Sequence, residues 1–288
     1  MSVISRPAAT PNRLEIIIRI LAGYSKSSMN KEELLELISP PFLTTDKPED
    51  GPGSTATNAL AEARVLGLVA EEVGASDVIT LAEPFRGATP QSLLSYLEPI
   101  LVGAHTGGNA SQADMPKMLT WLLAQDPRTP IDLASNLSSQ TEEILNSTAL
   151  AQQFAYWARF LGYAWHFAGA TRWWLVPDPS GALWRHLPSL LGGEGEVQLG
   201  SLPERWAAAC PVLEGGPDRP FDTSSRQFSR ATSLALLRLE QKGNIRLTRQ
   251  ADAPAVLLAV GNETNTYTHV ALAQPATARQ TSLQTGSE

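Results

Sequence analysis

The sequence predicts a mainly α fold with small β-hairpins: tandem winged helix-turn-helix-like domains joined by a helical middle region. Three observations carry this. Apolar residues recur at helical spacing in short segments along the chain. A helix followed by two short β-rich runs occurs twice, ending near Leu81 and near Val260. Glycine- and proline-rich stretches punctuate the segments. With 288 residues, of which 43% are hydrophobic and 18% charged, there is apolar material for more than one core.

The first domain is expected over residues 11–86. Asn12 is placed to cap a helix whose Leu14, Ile17, Ile18 and Leu21 form one stripe, ended by Gly23. Asn30 with Glu33 forms a capping-box pattern for a second helix, stopped by Pro40-Pro41. Thr44 to Ser54 reads as a loop, and a third helix runs from Ser54 to Leu66. Leu68-Val69 and Val78 to Leu81 then read as a hairpin, which gives the order of a winged helix.

The helical middle domain is expected over residues 89–191, with a short wing. Helices are read at Gln91 to Leu101 and Met115 to Ala124, with a break at Gly103 to Gly108 between them and weak helicity over 131–146. Thr148 to Phe167 reads as one long helix, with Phe154, Trp157, Leu161 and Trp165 on a single face. Trp173 to Val176 reads as a strand, and Ala182 to Leu191 as a helix. A glycine-rich joint at Gly192 to Gly200 precedes the second winged-helix-like domain, residues 201–272. There Ser224 or Ser225 caps a helix to Lys242, and strands at Ile245 to Thr248 and Ala255 to Val260 form the second hairpin. Residues 273–288 are polar and aperiodic, a flexible tail.

Several function classes are disfavoured. A formal charge of −7 argues against coating nucleic acid by bulk charge. One cysteine, Cys210, and four scattered histidines, His166 and His186 among them, offer no disulfide framework and no metal-ligand pattern. Phosphate-cradle, nucleophile-elbow and zinc-protease motifs are absent. We therefore expect no enzyme activity, no cofactor, no metal and no small-molecule substrate. Leu14 to Ala22 is too short and too charged for a membrane span, and the N-terminus lacks a secretory pattern, so a cytoplasmic, membrane-free setting is expected.

Glu240-Gln241-Lys242, with Asp222 upstream, imitates the carboxylates and lysine of a metal-dependent nuclease. Residues two apart on a helix point about 200° apart, however, so the triplet reads instead as a solvated helix end.

Two constellations remain. Trp157, Trp165, Trp173, Trp174 and Trp184 cluster in the middle domain. Most read as core, but adjacent strand residues face opposite ways, so Trp173 and Trp174 are the candidate partner-binding pair. From Arg219 to Asp252 the net charge is +4, leaving −11 for the remainder. On a helical wheel Arg226, Arg230, Arg238 and Lys242 fall at about 0°, 40°, 120° and 160°. With Arg246 and Arg249 on the wing, they are the candidate nucleic-acid-binding residues. The competing reading is a solvated face paired with the acidic remainder.

Four blocks in order carry a resemblance: "RPAATPNRLEIIIRIL…KEELLELISPPFL", "MLTWLLAQDP", "FAYWARFLGYAW…WWLVPDPSGAL" and "SLALLRLEQKGNIRLTRQADAP". Over about residues 6–262 the chain resembles the DpdG family of the bacterial cluster that places 7-deazaguanine derivatives in DNA and restricts unmodified DNA. The resemblance implies a setting beside base-exchange enzymes, helicases, ATPases and a nuclease, and it carries over no catalytic residues. The expectation is a non-enzymatic DNA-binding or adaptor subunit of a DNA-modification and restriction (phage-defence) system, with DNA and other subunits of the system as partners. The alternatives are a scaffold binding a partner ATPase or helicase through its winged-helix surfaces, and a transcriptional regulator.

Overall fold

The computed structural model describes residues 2–5, 9–24, 26–40, 54–72, 75–87, 89–103, 112–133, 141, 143–168 and 173–273. The loop expected within 44–53, the break within 104–108 and the tail at 274–288 lie outside these residues. So do 134–140 and 142 of the weakly helical stretch. The chain divides into two compact units. One is Met1–Leu122 with Thr129–Val176, the other Leu123–Arg128 with Pro177–Glu288. Residues 89–191 contribute to both.

In the first unit α1 (Pro11–Gly23) begins directly after Thr10, with its proline in the first turn, where a missing N–H leaves no helical bond unmade. The expected cap Asn12 is thus already inside the helix, and the Thr10 side chain makes no capping bond. β1 (Ser28–Asn30) leads into α2 (Lys31–Ile38), where Asn30 accepts the Glu32 amide at 2.8 Å. α3 (Ser54–Val65), β2 (Val69–Glu72) and β3 (Ala75–Leu81) follow. The expected hairpin β2–β3 forms, and β1 adds to its other edge to give an antiparallel sheet of order β1-β3-β2. Leu14, Ile17, Leu34, Leu60 and Ile79 are fully or almost fully buried where the three helices and this sheet meet.

Beyond it lie α4 (Leu93–Val102), α5 (Asp114–Leu123), β4 (Ile131–Asp132), α6 (Thr148–Phe160), β5 (Ala164–Ala168) and β6 (Trp173–Pro177), the strands in the order β4-β6-β5. The long helix expected to Phe167 stops seven residues early. Gly162 takes a left-handed φ of 79°. Its amide reaches the Arg159 carbonyl at 3.0 Å, and the Tyr163 amide reaches that of Ala158 at 2.9 Å. This is the Schellman closure that a glycine makes easy. Phe154, Trp157 and Leu161 are buried as expected, but Trp165 falls on β5 and is 60% exposed.

The second unit holds α7 (Ser180–Leu190), β7 (Glu196–Gln198), α8 (Leu202–Trp206), α9 (Arg230–Gln241), β8 (Ile245–Thr248), β9 (Val256–Val260), β10 (Glu263–Tyr267) and β11 (His269–Leu272). The second hairpin expected, β8 with β9, does not form. β9 turns at Gly261-Asn262 and pairs with β10 in register Val260↔Glu263, a two-residue turn that fits hairpin twist better than the long 249–255 connection. β8 instead pairs with β11, which pairs with β7. Val270 stands opposite both Leu247 and Val197, and all three are buried, so this register supplies one apolar row beneath the sheet.

Helix accounts for 46% and strand for 20% of the structure, in nine helices and four small antiparallel sheets among the described residues. The fold is therefore mixed α and β. The mainly α, tandem winged-helix expectation is overturned by the strand content and by the re-pairing of β8 and β9. No helix among the described residues is long and apolar enough to cross a membrane.

Candidate functional site

The basic residues expected to share one helix do not do so. α9 starts at Arg230, with the Ser229 hydroxyl accepting the Thr232 amide. Arg226 lies ahead of it in a turn, with a left-handed φ of 47°. Asp222 shapes that turn: its carboxylate accepts the Ser224 amide and hydroxyl at 2.8 and 2.6 Å, and its carbonyl accepts the Arg226 amide at 2.9 Å. These hydroxyl and amide bonds hold the Asp222 carboxyl at a pKa of about 2. The Leu257 amide then bonds the Arg226 carbonyl at 2.8 Å, which fixes the arginine beside β9 with its side chain exposed.

Two of the six candidates are internal struts. Arg230 donates to Asp126, which Arg128 also holds at 2.9 Å. Hydrogen bonds from Arg128, and then from Arg230, keep the Asp126 carboxyl at about 2, well below the usual carboxylate range. Arg238 donates to Asp178, whose side chain is 1% exposed and also accepts the Ser180 amide at 3.1 Å at the start of α7.

The other four candidates, Arg226, Lys242, Arg246 and Arg249, are exposed and make no ion pair among the described residues. Arg246 sits on the outer face of β8, between inward Ile245 and Leu247. The acid in its cross-strand row, Glu196, is occupied by the Thr248 hydroxyl at 2.6 Å and the side-chain amide of Gln250 at 3.0 Å. Glu240, the acid nearest Lys242 in sequence, accepts the Leu247 amide at 3.1 Å. The Glu240-Gln241-Lys242 triplet thus ends a helix, with its carboxylate tied to β8. Among the described residues no group of three potential ligands gathers for a metal ion.

Trp173 and Trp174 occupy opposite faces of β6. Trp173 stacks on His166 (centroids 5.5 Å, 19°), which faces α6 and meets Tyr156 edge-on. Trp174 stacks on Phe167 at 5.2 Å and 22°. Phe167 and Trp165 alternate with His166 on β5, so the outer face carries Trp165, Phe167 and Trp174 side by side, the first two well exposed.

A feature missed in the sequence lies in the first unit. The side-chain amide of Gln153 donates to the carbonyls of Val3 and Ala9 at 3.1 and 2.7 Å, pinning the chain ahead of α1 to α6. The same unit holds a cleft of about 710 Å³ lined by the start of α1 (Thr10, Pro11, Asn12, Arg13), by Tyr156, Arg159 and Phe160 of α6, and by His166 of β5. Tyr156, Arg159 and Phe160 share a helix face at spacings of three and four, but only the tertiary fold brings Asn12 and Arg13 to them.

Compared with curated proteins and with solved structures, the chain matches none. A family profile described as DpdG-like matches residues 1–253, in agreement with the sequence resemblance. With most of its length matched, the chain belongs to the DpdG-like family, which gives it a role in the Dpd DNA-modification system.

Proposed function

We propose that the chain is a non-catalytic, DNA-contacting subunit of the Dpd system, and that its second unit touches phosphates through Arg226, Lys242, Arg246 and Arg249. The observation that carries this is the division of the six basic candidates. Arg230 and Arg238 are paired with acids inside the unit, while the other four stay exposed without acidic partners among the described residues, in a chain of net charge −7. Unpaired surface cations attract phosphates and release counterions, whereas a cation already paired with a carboxylate has much of its charge offset. The test compares two variants by fluorescence anisotropy on duplex DNA. Replacing the four free cations with alanine is expected to weaken binding by roughly a hundredfold at moderate salt. Arg230→Ala leaves it within about threefold, because that charge is already spoken for. Equal losses in both variants sink this assignment.

A second reading, an adaptor for another subunit of the system, is favoured by the outer face of β5 and β6. Exposed tryptophan and phenylalanine side by side are what protein interfaces use as anchors. Trp174→Ala combined with Trp165→Ala is then expected to abolish co-purification with Dpd subunits while leaving DNA affinity unchanged. Retained co-purification removes this face from the account.

A further inference from the structure

We propose that the cleft of the first unit binds a nucleotide. Its phosphate would sit at Arg13, Arg159 and the start of α1, and its base against Tyr156 and Phe160. This goes beyond DNA contact through the second unit, since every described residue of the lining belongs to the first.

The lining is one-sided in charge. Among the described residues it holds two arginines and no carboxylate, within a protein whose net charge is −7. The first turn of α1 carries no acidic side chain, and Thr10 does not cap it, so the positive end of the helix is left uncompensated on the same side. A guanidinium fork matches the geometry of a phosphate, and two of them from separate elements select a compact polyanion over a lone carboxylate. The cations alone would describe any anion site, but the opposite wall is aromatic. Tyr156 and Phe160 are half-buried, and Tyr156 is braced edge-on by both His166 and Trp173, with centroids 5.6 and 5.5 Å away. Such a braced ring is a platform for a planar heterocycle, and base stacking on aromatic side chains tolerates any base.

Polar groups for a sugar and a base edge are present as well. Thr10 and Asn12 line the rim, and the His166 ring lines the floor. Burial, and then the charge of Arg159, push the His166 pKa below its ordinary value, so the ring is neutral at pH 7. Its Nδ1 is enclosed without a hydrogen-bond partner. A volume of about 710 Å³ suits a nucleotide and is far more than inorganic phosphate fills. The shared chemistry, a phosphate next to a heterocycle, could come from a free mononucleotide or from the unpaired end of a strand.

The test is calorimetric titration of the full chain with deoxynucleoside 5′-monophosphates, the matching nucleosides and inorganic phosphate. The nucleotide is expected to bind about tenfold or more tightly than either half alone. Arg159→Ala is expected to weaken it by about tenfold, and Arg159→Lys to restore part of the loss, since charge returns without the fork. Arg159 is exposed, so thermal melting of the variant should be unchanged, which separates a binding loss from a folding loss. Competition by a 5′-phosphorylated but not a 5′-hydroxyl single strand supports the site and makes a strand end its source. Competition by neither supports the site with a free mononucleotide as its source. Affinity for inorganic phosphate equal to that for the nucleotide overturns the proposal, as do unchanged binding in Arg159→Ala and the absence of any nucleotide binding at millimolar concentration. Salt-dependent duplex binding through the second unit is a separate readout, unaffected by Arg159→Ala, so either proposal can fail without the other.

Discussion

Glu214→Ala is expected to destabilise the second unit by about 3–5 kcal/mol, because it strips the partner from a buried charge. The Glu214 carboxylate is 7% exposed and the Arg219 side chain paired with it at 3.1 Å is 12% exposed. The same carboxylate accepts the Ser229 amide at 2.8 Å and the Thr232 hydroxyl at 2.7 Å. It therefore serves as a second cap for α9, at the helix end where negative charge is favoured. Its own carbonyl accepts the indole N–H of Trp206, which packs against Phe228 at 5.5 Å. Removing the side chain leaves Arg219 desolvated and unpaired, and frees the start of α9. Glu214→Gln keeps the shape and some hydrogen bonds but still strands the arginine, so it should lose nearly as much. Urea unfolding followed by tryptophan fluorescence reads both variants. A loss below about 1 kcal/mol in each contradicts a buried ion pair of this kind.

Gly216→Ala should be comparably damaging, by about 3 kcal/mol, for a steric reason. A Cβ on Gly216 would lie 1.7 Å from the backbone carbonyl oxygen of Pro211, and backbone cannot step aside as a flexible side chain can. The glycine carbonyl accepts the Arg219 amide at 3.2 Å, and the preceding Gly215, with φ of 95°, donates to the Arg219 carbonyl at 2.7 Å. The tight loop is thus what presents Arg219 to Glu214. Shifting it costs packing and moves the guanidinium off its carboxylate. Combined with Glu214→Ala, the two losses should be less than additive, because both act on one ion pair. Strict additivity, measured by the same unfolding curves, contradicts this coupling.

The N-terminal third was the most legible part of the chain. Stripes such as Leu14, Ile17 and Leu21, and the cap at Asn30, are local signals, and the hairpin ending at Leu81 is adjacent in sequence. The errors fall where local and tertiary preferences compete. "FAYWARFLGYAWHF" keeps a helical apolar spacing through Trp165, yet Gly162 closes the helix and Trp165 to Phe167 alternate as a strand. β8 and β9 are legible as strands, but their pairing is not, because nothing in the chain between them announces that β11, some twenty residues on, takes β8. Of the basic residues, the sequence could show that Arg226 to Arg249 concentrate charge. It could not show that Asp126 and Asp178 consume two of those charges, since both acids lie more than fifty residues away. The cleft is not legible for the same reason: Arg13 and Arg159, far apart in sequence, line it together only in the folded unit.

The proposed DNA contact rests on Arg226, Lys242, Arg246 and Arg249, which make no ion pair among the described residues. Association with duplex DNA by fluorescence anisotropy, over about 50 to 200 mM salt, tests it directly. Four phosphate contacts predict a log–log slope of about −3 to −4 for the native chain, and a slope near zero once Arg226, Lys242, Arg246 and Arg249 are alanine. No binding at the lowest salt, or a steep slope that survives those four substitutions, contradicts it.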